Sequence, residues 1–193
     1  AGTVEQTFEV GVRVALGYRK LADLSDRFSG GICPRGKTET PVFGSTGAFV
    51  AMDRGMCGGV AKQSMNMHPP YVGAIGYTFA LFEPLTLPAD RPAAFRAVVG
   101  KLDGSDLGDG ILYRVIVVDQ TGRETVAAEH TVKAHRWEPI EADLGRWAGQ
   151  RIRLKLVADP GPADDTTGDW ACWADMRIET RDAALHRTLD HQA

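Results

Sequence analysis

A chain of 193 residues with 44% hydrophobic and 24% charged residues has the composition of one soluble domain with a single core. Its formal net charge of −3 and pI near 6.0 supply no basic field for a polyanion, which argues against nucleic acid and anionic membrane surfaces as partners. No apolar run approaches the ~20 residues of a membrane span, and the opening Ala1-Gly2-Thr3 carries neither a charged leader nor an apolar export segment.

The front of the chain is irregular. Phe8 to Leu21 (FEVGVRVALGYRKL) is expected as strand. Residues 29–66 are rich in glycine and read as a long loop region broken by one short strand, Val42 to Met52. Val72 to Leu87 is a long strand-like run, with Pro84 and Pro88 marking its exit at a sheet edge.

The back half is clearer. Ala93 to Val99, Ile111 to Val118, Glu124 to Val132, Arg136 to Ala142, Arg151 to Ala158 and Trp170 to Thr180 are short and β-rich. Turn-forming segments (DGSDLGDG, DQTG, AGQ, DPGPADDTTGD) separate them. In RIRLKLVAD, Ile152, Leu154 and Leu156 alternate with Arg151, Arg153 and Lys155, the pattern of a sheet with one wet face. No amphipathic helices stand between these strands, so the fold class is all-β, a two-sheet antiparallel sandwich. One such domain is expected over 1–181, followed by a short tail or linker at 182–193.

Three cysteines are present: Cys33, Cys57 and Cys172. Cys33 and Cys57 lie in Gly-rich sequence 24 positions apart. Either they form a bridge, worth about 3 kcal/mol by loop entropy, or all the thiols are free. Cys172, inside WACWADM, reads as a small buried hydrophobe.

From His68 to Ile178 the order of features resembles carbohydrate-binding modules of the galactose-binding-like jelly-roll superfamily, in particular the NPCBM-type domains appended to glycosidases. The stretches that carry the resemblance are HPPYVGAIGYTF, LTLP, AAFRAVVGKLDGSDLGDGILYRVIVVD, RWEPIEADLGRWAGQRIRLKLVADPGP and DWACWADMRI. It implies a jelly-roll sandwich that binds sugar, carries no catalysis of its own, and works with a catalytic domain on the same or another chain. A secreted or periplasmic protein is expected, with a Cys33–Cys57 bridge as its main internal support.

Sugars are held by aromatic faces beside polar side chains that bond hydroxyls. Trp170, Asp169, His68 and Tyr71 are the expected ligand-binding residues, with Trp170 at a rim and Trp173, Trp147 and Trp137 as packers. Asp103, Asp106 and Asp109 recur in KLDGSDLGDG, and they read either as a solvated turn or, with Asp175 on the resemblance, as ligands of a structural calcium. No catalytic constellation emerges. The five histidines include no HExxH pair, and FGSTG around Ser45 is not a nucleophile elbow. Two other readings stand beside sugar binding: a structural or protein-interaction sandwich, and a jelly-roll polysaccharide lyase using His68, Tyr71, Arg96 and Tyr113.

Overall fold

The structure, a computed structural model, describes residues 18–23 and 27–181. Within them the strands run β1 (Tyr18–Asp23), β2 (Phe28–Pro34), β3 (Phe49–Cys57), β4 (Val60–His68), β5 (Gly76–Phe82), β6 (Leu85–Thr86), β7 (Ala93–Lys101), β8 (Ile111–Val118), β9 (Glu124–Val132), β10 (Trp137–Asp143), β11 (Arg151–Asp159) and β12 (Ala171–Arg181). A single short 3-10 turn, Gly145–Trp147, interrupts them. One sheet is ordered β10-β7-β12-β4-β3, with β1 also on β12. The other is ordered β2-β5-β11-β8-β9, with β6 also on β11. All pairings are antiparallel. The two-sheet antiparallel sandwich of jelly-roll build expected from the sequence is the fold found.

Alternation places the core. Ile152, Leu154 and Leu156 of β11 face inward beside Tyr113, Val115 and Val117 of β8, and meet Met65, Met67, Phe95, Val99 and Trp173 from the facing sheet. Trp173 sits edge-on to Tyr113 at 5.2 Å between ring centroids, a favoured aromatic geometry. The Tyr113 hydroxyl, fully buried, donates to the Gly100 carbonyl at 2.7 Å and accepts from the Cys172 N–H at 3.2 Å. It therefore ties β8 to β7 and β12 across the core.

Trp173 and Trp147 are core packers, as expected. Trp137 is only half-buried, and its indole N–H donates to the Val60 carbonyl at 2.8 Å. The outer face of β11 is less wet than alternation implied: the Lys155 ammonium is buried and hydrogen-bonded to Glu39 and Glu124.

Three expectations need correction. Residues 29–66 are not one long loop, because β2, β3 and most of β4 lie there. Three of the glycines that suggested a loop, Gly30, Gly31 and Gly55, are inside strands, while Gly36, Gly44, Gly47, Gly58 and Gly59 do lie in turns between them. A Cβ on Gly31 would lie 2.4 Å from the Phe79 ring, and one on Gly30 would lie 3.1 Å from the Phe43 ring, so aromatic packing explains both. The run Val72 to Leu87 divides at Pro84 into β5 and β6. The proposed Cys33–Cys57 bridge is absent: Cys33 is on β2 and Cys57 on β3, in different sheets, and both are free thiols. The strand expected over 8–21 overlaps β1 only from Tyr18, and its remainder lies outside the described residues, as does the expected tail at 182–193.

Candidate functional site

The site is built on the outer face of the sheet that contains β3, β4 and β12. Cross-strand register sets it: Phe49 pairs with His68, Ala51 with Asn66 and Asp53 with Ser64 between β3 and β4. Asn66 in turn pairs with Cys172 of β12. Met65 and Met67 point into the core, so the intervening Asn66 and the flanking His68 share the opposite face with Phe49, Ala51 and Asp53. Trp170 enters the same end of that face immediately before β12.

The aromatic rings converge. His68 is 5.2 Å from Trp170 and 4.7 Å from Tyr71, centroid to centroid, and Phe49 is 5.8 Å from Trp170. Tyr71 arrives from the loop after Pro69-Pro70, whose Tyr71 and Val72 N–H groups both donate to the Thr46 carbonyl at 3.0 Å. Its ring lies against Gly47: a Cβ there would be 2.2 Å from the phenol, and the positive φ of 76° favours glycine on its own account.

Exposure separates the roles. Trp170 is 43% exposed and Tyr71 52%, whereas His68 beneath them is buried. Its Nδ1 lies 2.7 Å from the Pro69 carbonyl. Burial pushes the His68 imidazole below its usual pKa, more than the Pro69 carbonyl raises it. The neutral ring thus braces two exposed aromatic rings, Trp170 edge-on and Tyr71 tilted.

Beside Trp170 opens a cleft of about 170 Å³, lined among others by Phe49, Ala51, Asp53, Asn66 and Leu102. Deep small-molecule pockets run about 300–1,000 Å³, so this is a shallow surface rather than an enclosing cavity. The Ser64 hydroxyl donates to Asn66 Oδ1 at 2.6 Å, which leaves the amide nitrogen as a free donor. Asp53 adds an exposed carboxylate, and neighbouring Arg54 an exposed guanidinium. A larger cleft of about 290 Å³ lies at the other end of the same face, among Arg96, Glu141, Asp143 and Glu179. It has no aromatic wall, so it offers a sugar ring nothing to stack on.

The structure therefore brings together His68, Tyr71 and Trp170, and adds Phe49, Asp53 and Asn66. Sequence reasoning missed these three: it read Phe49 within the short strand Val42 to Met52 without a role, and left Asp53 and Asn66 in the loop region 29–66. The signal was the i, i+2 spacing of Phe49, Ala51 and Asp53 across from Asn66 and His68.

Asp169 is a correction, since it is 0% exposed and cannot touch a ligand. It faces the equally buried Lys101 at 3.6 Å. Lys101 itself donates to the Gly168 carbonyl at 2.5 Å. Burial raises the Asp169 carboxyl to about 7 against the pull of Lys101, and burial lowers the Lys101 ammonium.

The four carboxylates read, as one of two alternatives, as calcium ligands do not converge. Both Asp103 oxygens accept N–H groups, from Gly58 at 2.6 Å and Gly59 at 2.8 Å. Asp175 pairs with Lys62 at 2.6 Å. Asp106 is exposed, its backbone packed on Gly168. Asp109 alone approaches the Lys101–Asp169 pair, with its Oδ1 buried and without a hydrogen-bond partner. Among the described residues, no group of three or more His, Cys, Asp or Glu is placed to hold a metal ion. The lyase set also fails to assemble: Tyr113 is in the core, and Arg96 pairs with Glu141 and Glu179 away from His68 and Tyr71.

No protein-family model matches the chain. An uncharacterized protein of Archaeoglobus fulgidus is 34% identical over 77 residues, which make up 37% of this chain and only 19% of that protein. The solved structures to which the fold is similar include several carbohydrate-binding modules. The family 22 module at the C-terminal side of Clostridium thermocellum Xyn10B has 14% identity, covering 86% of this chain and 94% of that one, at a TM-score of 0.49. The xylan-binding family 22 domain of Paenibacillus barcinonensis Xyn10C has 15% identity, covering 87% and 95%, at 0.48. A family 61 module solved with β-1,4-galactotriose has 16% identity, covering 62% and 70%, at 0.43. Among the described residues, no helix is long and apolar enough to cross a membrane.

Proposed function

We propose that this chain is a non-catalytic carbohydrate-binding domain, and that sugar lies in the cleft beside Trp170 and Tyr71. The observation that carries this reading is the pair of exposed aromatic rings set against buried His68, Trp170 edge-on at 5.2 Å and Tyr71 tilted at 4.7 Å, with Trp170 lining the cleft that also holds Asp53 and Asn66. A pyranose offers an apolar face of C–H groups and a rim of hydroxyls. Trp170 and Tyr71 meet the first, and the carboxylate of Asp53 and the amide of Asn66 bond the second. The shallow cleft suits part of a longer glycan chain better than a free monosaccharide swallowed whole. The same reading places the domain in a larger exported protein, secreted or periplasmic, beside a catalytic domain on the same or another chain. Its support is the sequence resemblance to modules appended to glycosidases.

The test is a broad glycan array followed by titration calorimetry of the best binder. An open aromatic platform gives a Kd of about 1 mM to 1 μM. Trp170→Ala removes the larger stacking face and abolishes measurable binding while the far-ultraviolet spectrum keeps its β signature. A chain that binds nothing on the array, or a Trp170→Ala variant that binds as the parent does, rejects this reading.

A further inference from the structure

Cys57 of β3 and Cys172 of β12 meet on the outer face of the sheet, next to the cleft but outside the aromatic group. Cys172 pairs in register with Gly100 of β7. The Cys57 sulfur rests on that same glycine: a Cβ on Gly100 would lie 2.7 Å from it. The relation is mirrored on the other side. A Cβ on Gly55, two residues before Cys57 on the same strand face, would lie 2.8 Å from the Cys172 sulfur. Glycine at 55 and 100 therefore clears the space in which the two sulfurs face each other. Each cysteine is 1% exposed. Cys33 stands apart on β2, with its thiol donating to the Lys37 carbonyl at 3.2 Å.

We propose that Cys57 and Cys172 are a disulfide-forming pair that staples the β3–β4 hairpin onto the middle of the sheet when the chain folds with a disulfide donor present. The step balances with a small-molecule disulfide such as oxidised glutathione. One cysteine thiolate attacks it and releases a glutathione thiolate. The second cysteine thiolate attacks the mixed disulfide and releases the other. Two protein thiols lose two electrons in all, and one glutathione disulfide is reduced to two thiols. The folded pair is closed to such reagents: the neighbouring Cys172 thiol and burial hold the Cys57 thiol well above its usual range, so little thiolate exists to attack. Exchange therefore belongs to the stage at which the hairpin has not yet docked. The staple fixes Cys172, which lines the cleft, but the inference does not depend on what the cleft binds.

The experiment refolds the reduced, denatured chain in a glutathione redox buffer, where burial cannot shield any thiol. Remaining thiols are then alkylated under denaturing conditions and the peptides mapped by mass spectrometry. The expected product lacks two hydrogens, carries one Cys57–Cys172 linked peptide pair, and is alkylated only at Cys33. Its melting temperature falls when reductant is added. Cys33→Ser keeps the link. Folded product with all three cysteines alkylated, a link that includes Cys33, or a persistent glutathione adduct on Cys57 overturns the proposal. The parent chain's peptide map decides the matter without a variant at Cys57 or Cys172.

Discussion

Replacing Asp159 by alanine removes the most heavily used carboxylate of the described residues. Asp159 ends β11 with no exposure. It accepts from Arg35 Nη1 and Nη2 at 3.0 and 2.8 Å, from Arg114 Nη1 at 2.9 Å and from the Gly161 N–H at 2.8 Å. Truncating one partner of a buried ion pair costs about 3–5 kcal/mol. Here the arginine side chains are 39% and 25% exposed, and Arg35 keeps Asp164 at 2.7 Å. Their charges thus regain water, and the cost sits at the low end, about 3 kcal/mol. The Gly161 N–H is buried and loses its acceptor, which adds about 1 kcal/mol.

A total of about 4 kcal/mol corresponds to a drop in melting temperature of roughly 8–16 °C for a domain of this size. The pH dependence has a definite sign. Burial pushes the Asp159 carboxyl up, but the hydrogen bonds of Arg35 and Arg114 more than offset it and hold it below its usual range. A depressed folded pKa means the stabilisation is complete above the unfolded value near 3.9 and is lost as pH falls through the folded one. Parent and variant should therefore differ fully at pH 7 and converge in strong acid, by urea and thermal unfolding alike. A loss below about 1 kcal/mol at neutral pH would show that the network is screened like a surface ion pair, and refute the reasoning. Because the network is on the other sheet from Trp170, the variant should bind glycan normally below its melting temperature.

Tyr113→Phe leaves the Gly100 carbonyl and the Cys172 N–H without the hydroxyl that joins them, at a cost of about 1–3 kcal/mol, measurable as a shift in the urea midpoint with an unchanged slope. His68 gives a second pH signature. Its folded pKa is depressed, so stability drains away as pH falls from about 6.5 toward the folded value. Asp169, raised to about 7 chiefly by burial, acts in the opposite sense in the same range. The contribution of His68 is therefore read as the difference between the parent and His68→Phe in melts from pH 7.5 to 5; parallel curves for the two would remove it.

How much of this was legible beforehand follows from where side chains reveal their face. In β8, β9 and β11, alternating or near-continuous apolar residues carry the register on the surface of the text, and the strand limits match closely. The start of β3 was read within the strand Val42 to Met52, but the far half of the β3–β4 hairpin hid because its outer face there carries small residues, Gly55, Cys57 and Ser64, fitted to what packs on them from β7 and β12. Such long-range crowding leaves no apolar periodicity to read in that half of the hairpin. Trp170 and Tyr71 were legible as rim aromatics from their neighbours in the chain. Asp169 was not: burial of a carboxylate against Lys101, 68 positions away, has no local sign. The cysteines failed for the same reason, since proximity along the chain suggested Cys33 for Cys57 while the sheet brings Cys172.

The tip of the β3–β4 hairpin bears on how this molecule behaves in a crowd. β3 and β10 are the two margins of their sheet, and an open margin is a row of unpaired amides and carbonyls that invites another chain to add on. Here the tip bends across to the start of β10. Gly58 packs on the His135 carbonyl, the Trp137 indole holds Val60, and Asp103 clamps the Gly58 and Gly59 amides. At that end the sheet closes toward a ring, so its two margins guard one another and stacking of copies edge to edge finds no foothold there.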